Sequence, residues 1–91
     1  MIVTLEKTKE WLRVESNDED ALIESFITAA ADIVGGVLRF PLSELTEIPE
    51  TVNQAVYYAV SVMYDQRESL DIIALLNTLR GILFIYRKDA W

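Results

Sequence analysis

The chain has few side chains suited to catalysis, because it contains no histidine and no cysteine. Without an imidazole its serines lack the usual general base, and without a thiol there is no cysteine nucleophile, disulfide bond or thiolate zinc ligand. The serines also lack the Gly-x-Ser-x-Gly turn of hydrolases, and Gly35-Gly36 is not followed by the Gly-Lys-Ser/Thr of a phosphate-binding loop. Lys7, Lys9 and Lys88 lie among charged residues and not in the apolar surroundings that activate a lysine. We therefore predict that the chain is not an enzyme and needs no cofactor.

A cluster of carboxylates is the one group that resembles a metal site: Glu15, Asp18, Glu19, Asp20 and Glu24. A calcium-binding loop needs oxygen ligands at alternating positions and a central glycine, and this segment has neither. Carboxylates that act as an acid–base pair need a pocket that separates their pKa values, and no such pocket is predicted. Acids at the start of a helix are favoured by its dipole, so we interpret the cluster as helix capping and solvated surface, with no metal.

The spacing of apolar residues predicts two helices in the first half of the chain. The first covers residues 5–13, with Thr4 as its N-cap. The second follows a capping box formed by Ser16 and Glu19, although Asn17 or Asp18 could also cap it. Gly35-Gly36 is expected to end it, because glycine adopts the left-handed conformation at low cost. The apolar stripe of this second helix is Leu22, Ile23, Phe26, Ile27, Ala30, Ile33, Val34 and Val37.

Two more helices are predicted in the second half. Pro49 suits the first position of the third helix, which runs to about Arg67. The fourth runs from Leu70 or Asp71 to Tyr86, and its Gly81 predicts a kink or a close contact. The apolar stripes are Val52, Ala55, Val56, Ala59, Val60 and Met63 in the third helix, and Ile72, Leu75, Leu76, Leu79, Leu83 and Tyr86 in the fourth. We predict one all-α domain over residues 1–91, a bundle of about four helices. An irregular loop, with room for a short extended segment, joins the second and third.

The charge is uneven, since residues 1–50 hold eleven acids and four bases whereas residues 51–91 hold four of each. The formal net charge of −7 therefore lies in the first half. Such a chain is a poor ligand for phosphate, because nucleic-acid affinity depends on lysine and arginine. The longest almost apolar run, residues 55–64, is too short to cross a bilayer, and the N-terminus lacks a signal-peptide pattern. We expect a protein of the cytoplasm that neither spans a membrane nor binds DNA specifically.

The third and fourth helices carry more apolar surface than one small core needs, which indicates a protein partner. The predicted interface residues are Tyr57, Tyr58, Val62, Tyr64, Arg67, Ile73, Phe84, Ile85 and Trp91. Simpler interpretations stay open for some of them. The adjacent tyrosines point about 100° apart, so one can lie in the core and the other on the surface. The Tyr64–Arg67 pair, one turn apart, can be a local contact, and Trp91 can be free or docked.

Five short patterns follow one another in a recognisable order. They are Ile2-Val3-Thr4-Leu5, Trp11-Leu12-Arg13-Val14, Asp18-Glu19-Asp20-Ala21-Leu22-Ile23 leading to Ala29-Ala30-Ala31, Ile48-Pro49 with Ala55 and Tyr64-Asp65-Gln66-Arg67-Glu68, and Leu83-Phe84-Ile85-Tyr86-Arg87. Each is common in helical proteins, but the ordered set covers nearly the whole chain. In this order it resembles the small helical head–tail connector (adaptor) proteins of tailed double-stranded DNA phages and prophages. The connector at residues 35–48 is shorter than in some relatives.

The resemblance implies a structural role without chemistry. Such proteins form a ring, of about a dozen subunits in relatives, between the portal protein and the tail or a stopper protein. The ring extends the DNA channel, and DNA passes through it without specific binding. Assembly in the host cytoplasm and a final place at the virion head–tail junction are implied as well. An acidic chain suits such a channel, and the predicted channel-facing acids are Glu15, Asp18, Glu19, Asp20, Glu44 and Glu47.

A second class of function shares the same acidity and apolar surplus. It is a small acidic helical adaptor or regulator, such as an antitoxin, that binds a protein partner as a monomer or dimer. A helix-turn-helix DNA-binding protein is a weaker third possibility, because no predicted helix has a basic face. Ring formation, against a tight inhibitory dimer, separates the first two classes.

Overall fold

A computed structural model describes residues 3–38 and 48–84, and these fold into four helices. The helices are α1 (Leu5–Leu12), α2 (Asp20–Leu38), α3 (Glu50–Asp65) and α4 (Ile72–Leu83). Over these two ranges no residue is in a β-strand, so the predicted all-α bundle of about four helices is confirmed. Residues 39–47, which hold most of the predicted loop with its extended segment, lie outside the described part.

The antiparallel pair α2 and α3 forms the centre of the fold, and α1 and α4 each pack on both of these helices. The residue before α2, Glu19, bonds to Tyr64 near the end of α3, which fixes the antiparallel order. The largest fully buried apolar side chains are Ile23, Ile27, Val34 and Leu38 of α2, Val52, Val56 and Val60 of α3, and Leu75, Leu79 and Leu83 of α4. The core therefore lies where α2, α3 and α4 meet, and α1 closes one side of the α2–α3 pair.

Both ends of α1 are capped by local hydrogen bonds. The Thr4 hydroxyl accepts a bond from the Lys7 N–H at 3.1 Å, which confirms the predicted N-cap. At the other end, Arg13 adopts a left-handed conformation with φ of 61°, and its N–H donates to the Glu10 carbonyl. The next N–H, from Val14, returns to the Lys9 carbonyl, so these two bonds form a Schellman motif. The helix can therefore end without a glycine.

The prediction that Gly35-Gly36 ends α2 is wrong. The helix continues to Leu38, and neither glycine has a positive φ. The reason is the burial of the two residues that follow, because Val37 and Leu38 are both in the core. Burying such a side chain contributes about 1.5–3 kcal/mol, which exceeds the cost of about 1 kcal/mol for a glycine in a helix.

The predicted capping box at the start of α2 is also wrong. The Ser16 hydroxyl accepts a 3.4 Å bond from the Asp18 N–H, and the helix begins only at Asp20. The Glu19 carboxylate does not cap its own helix, because it bonds to Tyr64 and Arg67 across the bundle. A backbone N–H offers the carboxylate one neutral donor, whereas Arg67 pairs it with a cation and Tyr64 adds a second donor, so the long-range partners prevail over the local cap.

The other helix ends lie close to their predicted positions. Pro49 immediately precedes α3 in an extended conformation, one residue earlier in the helix register than predicted. The end of α3 falls at Asp65 instead of Arg67. The start of α4 is capped by the Asp71 carboxylate, which accepts from the Ala74 N–H. Differences of one or two residues are usual at helix ends.

The predicted stripe of α3 is confirmed, since all six of its residues are buried. The predicted apolar stripes of α2 and α4 each include one residue that is exposed in the structure. Leu22 and Ile72 are exposed, while the rest of their described stripe residues are buried or half-buried. The predicted close contact at Gly81 is absent within the described chain, where a Cβ added at Gly81 would meet nothing within 4 Å.

The hydropathy of α2 corrects the expectation that no segment is long enough to cross a membrane. The helix has 19 residues and a mean hydropathy of 1.7, which satisfies both criteria by length and composition. It packs on all three other helices and contributes seven buried residues. A central helix of a small bundle has the same apolar character, so the position of α2 in the core accounts for its composition.

Candidate functional site

A three-residue clamp joins the start of α2 to the end of α3. The Tyr64 hydroxyl donates to one Glu19 carboxylate oxygen at 2.5 Å, and Arg67 donates from Nη1 to the other at 2.7 Å. The Arg67 guanidinium also lies 4.9 Å from the centre of the Tyr64 ring. The contact within the Tyr64–Arg67 pair is therefore present, and it belongs to a cluster that includes a residue from elsewhere in the chain.

The clamp shifts the titration of its members. The bonds from Tyr64 and Arg67 hold the pKa of Glu19 below its usual value, because both donors stabilise the ionised carboxylate. In turn, the bond to Glu19 raises the pKa of Tyr64, since the donated proton is harder to remove. The cluster therefore stabilises the contact between the start of α2 and the end of α3, and its charged groups, Glu19 and Arg67, pair with each other within the chain.

An aromatic pair joins α1 to α3. The rings of Trp11 and Tyr57 are stacked with their centres 5.3 Å apart and their planes at 16°. Trp11 is still 44% exposed, so one face of the stack is accessible. Burial raises the pKa of Tyr57, and the nearby carboxylates Glu50 and Glu10 raise it further. Tyr57 therefore lies in a locally negative environment.

The stack forms part of an open groove between α1 and the first turns of α3. Its volume is about 550 Å³, and it is lined by Val3, Thr4, Lys7, Glu10, Trp11, Glu50, Asn53, Gln54 and Tyr57. Glu50 accepts from both amides on the α3 side, Asn53 at 3.4 Å and Gln54 at 3.1 Å. The buried Oδ1 of Asn53 has no hydrogen-bond partner within the described residues. We call this feature the α1–α3 groove; it combines an aromatic wall with a rim that carries two carboxylates and one lysine.

The most exposed apolar surface in the described chain lies on α4. Ile73 and Phe84 are the most exposed large apolar residues described, at 70% and 68%. Phe84 directly follows α4 and keeps a right-handed helical conformation, and it is eleven residues from Ile73, which is about three helical turns, so the two lie on one face. Asn77, Arg80 and Gly81 lie between them on this face, and all three are exposed. We call these five residues the outer face of α4.

The remaining predicted interface residues occupy other positions. Tyr58 and Val62 are half-buried against the core, as are Tyr57 and Tyr64. Much of the apolar surplus of α3 is thus covered within the chain itself, whereas that of α4 is not. Ile85 and Trp91 lie outside the described residues. The interface assignment as a whole remains a prediction.

Four of the predicted channel-facing acids lie in the described part of the chain, two of them exposed and two of them paired with a cation. Glu15 and Asp18 are exposed in the loop before α2. Glu19 is held by the clamp, and Asp20 forms a 2.8 Å ion pair with Lys9. Glu44 and Glu47 lie outside the described part of the chain. No group of three or more acidic side chains in residues 3–38 and 48–84 is arranged to hold a metal ion.

The sequence interpretation missed the α1–α3 groove. Trp11 lies in the last turn of a short helix, and nothing in the local pattern connects it with Tyr57, Glu50 or Asn53. A tryptophan on a short helix of mostly charged and polar residues is the one sequence signal that could have indicated a surface, because tryptophan is enriched in interfaces.

Comparison with known proteins assigns the chain to a family. The model of one protein family, described as phage gp6-like head-tail connector protein, matches residues 2–87. No curated protein and no solved structure matches the chain. Connectors of this family are structural phage proteins of the virion head–tail junction, where they assemble with portal and tail proteins. Because the match covers nearly the whole sequence, the chain belongs to the phage gp6-like head-tail connector family and has a structural adaptor role.

Proposed function

We propose that copies of this protein form a ring between the portal protein and the tail. The ring has about a dozen subunits, lengthens the DNA channel, and gives the tail or a stopper protein a surface on which to dock. Subunits assemble in the host cytoplasm. The observation that carries the proposal is the family match over residues 2–87, because it covers all four helices.

The exposed apolar surface supports assembly with other copies. The outer face of α4 leaves Ile73 and Phe84 about two-thirds exposed, and isolated chains do not gain stability from such residues. A contact with a second copy removes them from water. If the two surfaces in contact differ, the same contact repeats around an axis and closes into a ring.

The charge of the chain supports a passage for DNA. The net charge is −7, and affinity for phosphate depends on lysine and arginine, so the chain as a whole does not attract a duplex that moves through the ring. Among the described acids, we assign the channel lining first to Glu15 and Asp18, because both are exposed and neither forms an ion pair within the described chain. Glu44 and Glu47 belong to the same proposal, whereas Glu19 and Asp20 have cationic partners.

Electron microscopy of the purified protein, alone and with portal protein, tests the ring. We expect annular particles, either spontaneously or on the portal. A tight dimer that inhibits another protein and forms no ring on the portal would contradict the proposal and favour the acidic regulator. Light scattering under the same conditions gives the mass of the particle and therefore the number of subunits.

A further inference from the structure

We infer that neighbouring subunits join head to tail, with the outer face of α4 of one copy seated in the α1–α3 groove of the next. This inference rests on the proposed ring, and it names the two surfaces that build it. The occupant of the groove is thus a second copy of this chain. Four observations support the match: the apolar residues at both ends of the α4 face, the glycine within it, the aromatic wall of the groove, and the charges on both sides.

The outer face of α4 has the composition of an interface centre. Ile73 and Phe84 supply apolar area at its two ends, and Arg80 lies between them. Aromatic residues and arginine are enriched in protein interfaces and often dominate their affinity. In the isolated chain, the one described polar contact of Arg80 is a long 3.5 Å bond to Asn77. Its guanidinium is therefore available for a stronger partner.

Gly81 leaves the backbone of this face open to close approach, because glycine has no Cβ. Within the described part of the chain, a Cβ at Gly81 would meet no atom within 4 Å, so no described residue occupies this space. Gly36 has the same open surroundings but lies on α2, away from the outer face of α4. Glycine at position 81 therefore allows a neighbouring subunit to pack directly on the backbone of α4.

The α1–α3 groove is complementary to this face in chemistry. Its wall is the Trp11–Tyr57 stack, with nearly half of the Trp11 side chain accessible. An arginine over the face of a tryptophan gains a cation–π interaction. Phe84, one helical turn from Arg80, reaches the same stack, and the groove adds the side-chain methyl groups of Val3 and Thr4.

The charges of the two surfaces are opposite. Arg80 is the only ionisable residue in α4. The groove holds Glu10 and Glu50 against the single cation Lys7, and both carboxylates act on Tyr57 at its wall. An arginine that enters beside the stack therefore meets a negative environment. Two α4 faces would bring arginine against arginine, and two grooves would bring carboxylates together, so the charges favour the head-to-tail arrangement over a symmetric dimer.

Engineered cysteines test the contact directly, because the chain has none of its own. One variant carries Asn77→Cys on the outer face of α4, and another carries Gln54→Cys at the rim of the groove. Both positions are exposed, so neither change disturbs the core. The two variants are mixed, with and without portal protein, and treated with a short bis-maleimide. We expect a dimer in the mixture and little cross-linking of either variant alone. Ala29→Cys, exposed on α2, replaces Gln54→Cys as the matched control and should give no dimer with Asn77→Cys.

A pair of glycine substitutions supplies a readout that folding defects cannot imitate. Gly81→Ala and Gly36→Ala both change an exposed helical glycine with open space around its Cα, so both should raise the melting temperature of the monomer. Only Gly81→Ala should impair assembly, raising the protein concentration needed for rings by about tenfold or more. Arg80→Glu should impair it similarly, and adding Glu10→Lys in the same chain should restore it.

The outcomes separate this inference from the proposed function. Rings in the microscope without a cross-link between positions 54 and 77, or with unchanged assembly of Gly81→Ala, overturn the head-to-tail contact and leave the ring intact. Cross-linking of Asn77→Cys with itself points to a symmetric contact and also overturns it. The absence of rings and of cross-links, even with portal protein, overturns both.

Discussion

The substitution Gly36→Ala shows whether α2 continues to Leu38 or ends at Gly35-Gly36, because it should raise the free energy of unfolding in the first case and lower it in the second. In the structure, Gly36 lies inside the helix, is exposed, and has no atom within 4 Å of where a Cβ would lie. Alanine is then favoured by about 1 kcal/mol in a helix interior. Because Leu38 ends the helix only two residues later, fraying reduces this gain, and we expect about 0.5–1 kcal/mol.

The local sequence pattern gives the opposite sign. If Gly35-Gly36 ended the helix with a left-handed residue, alanine there would be strained and would cost about 1 kcal/mol or more. The two descriptions therefore differ by about 1.5–2 kcal/mol or more at one position, taking the gain and the cost together.

Thermal unfolding followed by circular dichroism measures the difference. For a chain of this size the expected gain corresponds to a rise in melting temperature of about 2–8 °C. Ala29→Gly is the matched control, because Ala29 is exposed in the middle of the same helix. It should lower stability by about 1 kcal/mol and so calibrate the assay. A lower melting temperature for Gly36→Ala, with the expected loss in the control, would show that α2 ends at the glycines and refute the structural reasoning.

Four further predictions concern the core, the clamp, the end of α1 and the proposed channel. Leu79→Ala should destabilise the chain by about 2–5 kcal/mol in urea unfolding, because Leu79 is fully buried and the change leaves a cavity; a loss below about 1 kcal/mol would contradict its place in the core. The pKa of Glu19 is lowered from 4.5 in the folded chain, so its contribution to stability is present above pH 4.5 and is lost as the pH falls through the folded pKa. Glu19→Gln should therefore lower stability at neutral pH and flatten the acid limb of a stability–pH curve, and an unchanged acid limb would argue against the clamp. Arg13→Gly should stabilise by up to about 1 kcal/mol, because φ at this position is 61°; destabilisation would show that the arginine side chain contributes more than its backbone costs. Glu15→Lys combined with Asp18→Lys should increase retention of DNA on assembled rings in a filter-binding assay, and unchanged retention would place these acids away from the channel.

The helical period was sufficient to predict much of the core. The six apolar residues of α3 recur at helical spacing, and the period alone assigns them to one face, all of which is buried. The same holds for Leu75, Leu79 and Leu83 on α4. Local hydrogen bonds were also predictable where the competing partners are near in sequence, as at Thr4.

Two wrong predictions concern the ends of α2, where the structure depends on contacts with residues that are distant in the sequence. Ser16 and Glu19 have the spacing of a capping box, but Tyr64 and Arg67 bind the Glu19 carboxylate from the far end of α3. Gly35-Gly36 has the composition of a helix end, but the buried Leu38 extends the helix past it. Tyr64 lies 45 residues from Glu19, and Leu38 is buried in a core that α3 and α4 complete, so no local rule could have ranked the alternatives.

The location of the surplus apolar surface depends on which helix is central, and the sequence does not state this. Counting apolar residues indicated a surplus on both α3 and α4. In the fold, α3 contacts α1, α2 and α4, so three neighbours cover its flanks and Tyr57 finds a partner in Trp11. The main neighbours of α4 are only α2 and α3. Its far side therefore keeps Ile73 and Phe84 in water.

A helix covered on one side only is where a second subunit gains most, because each apolar residue that it covers adds burial that the single chain lacks. The peripheral position of α4, more than its composition, is the reason why we propose it as the assembly surface.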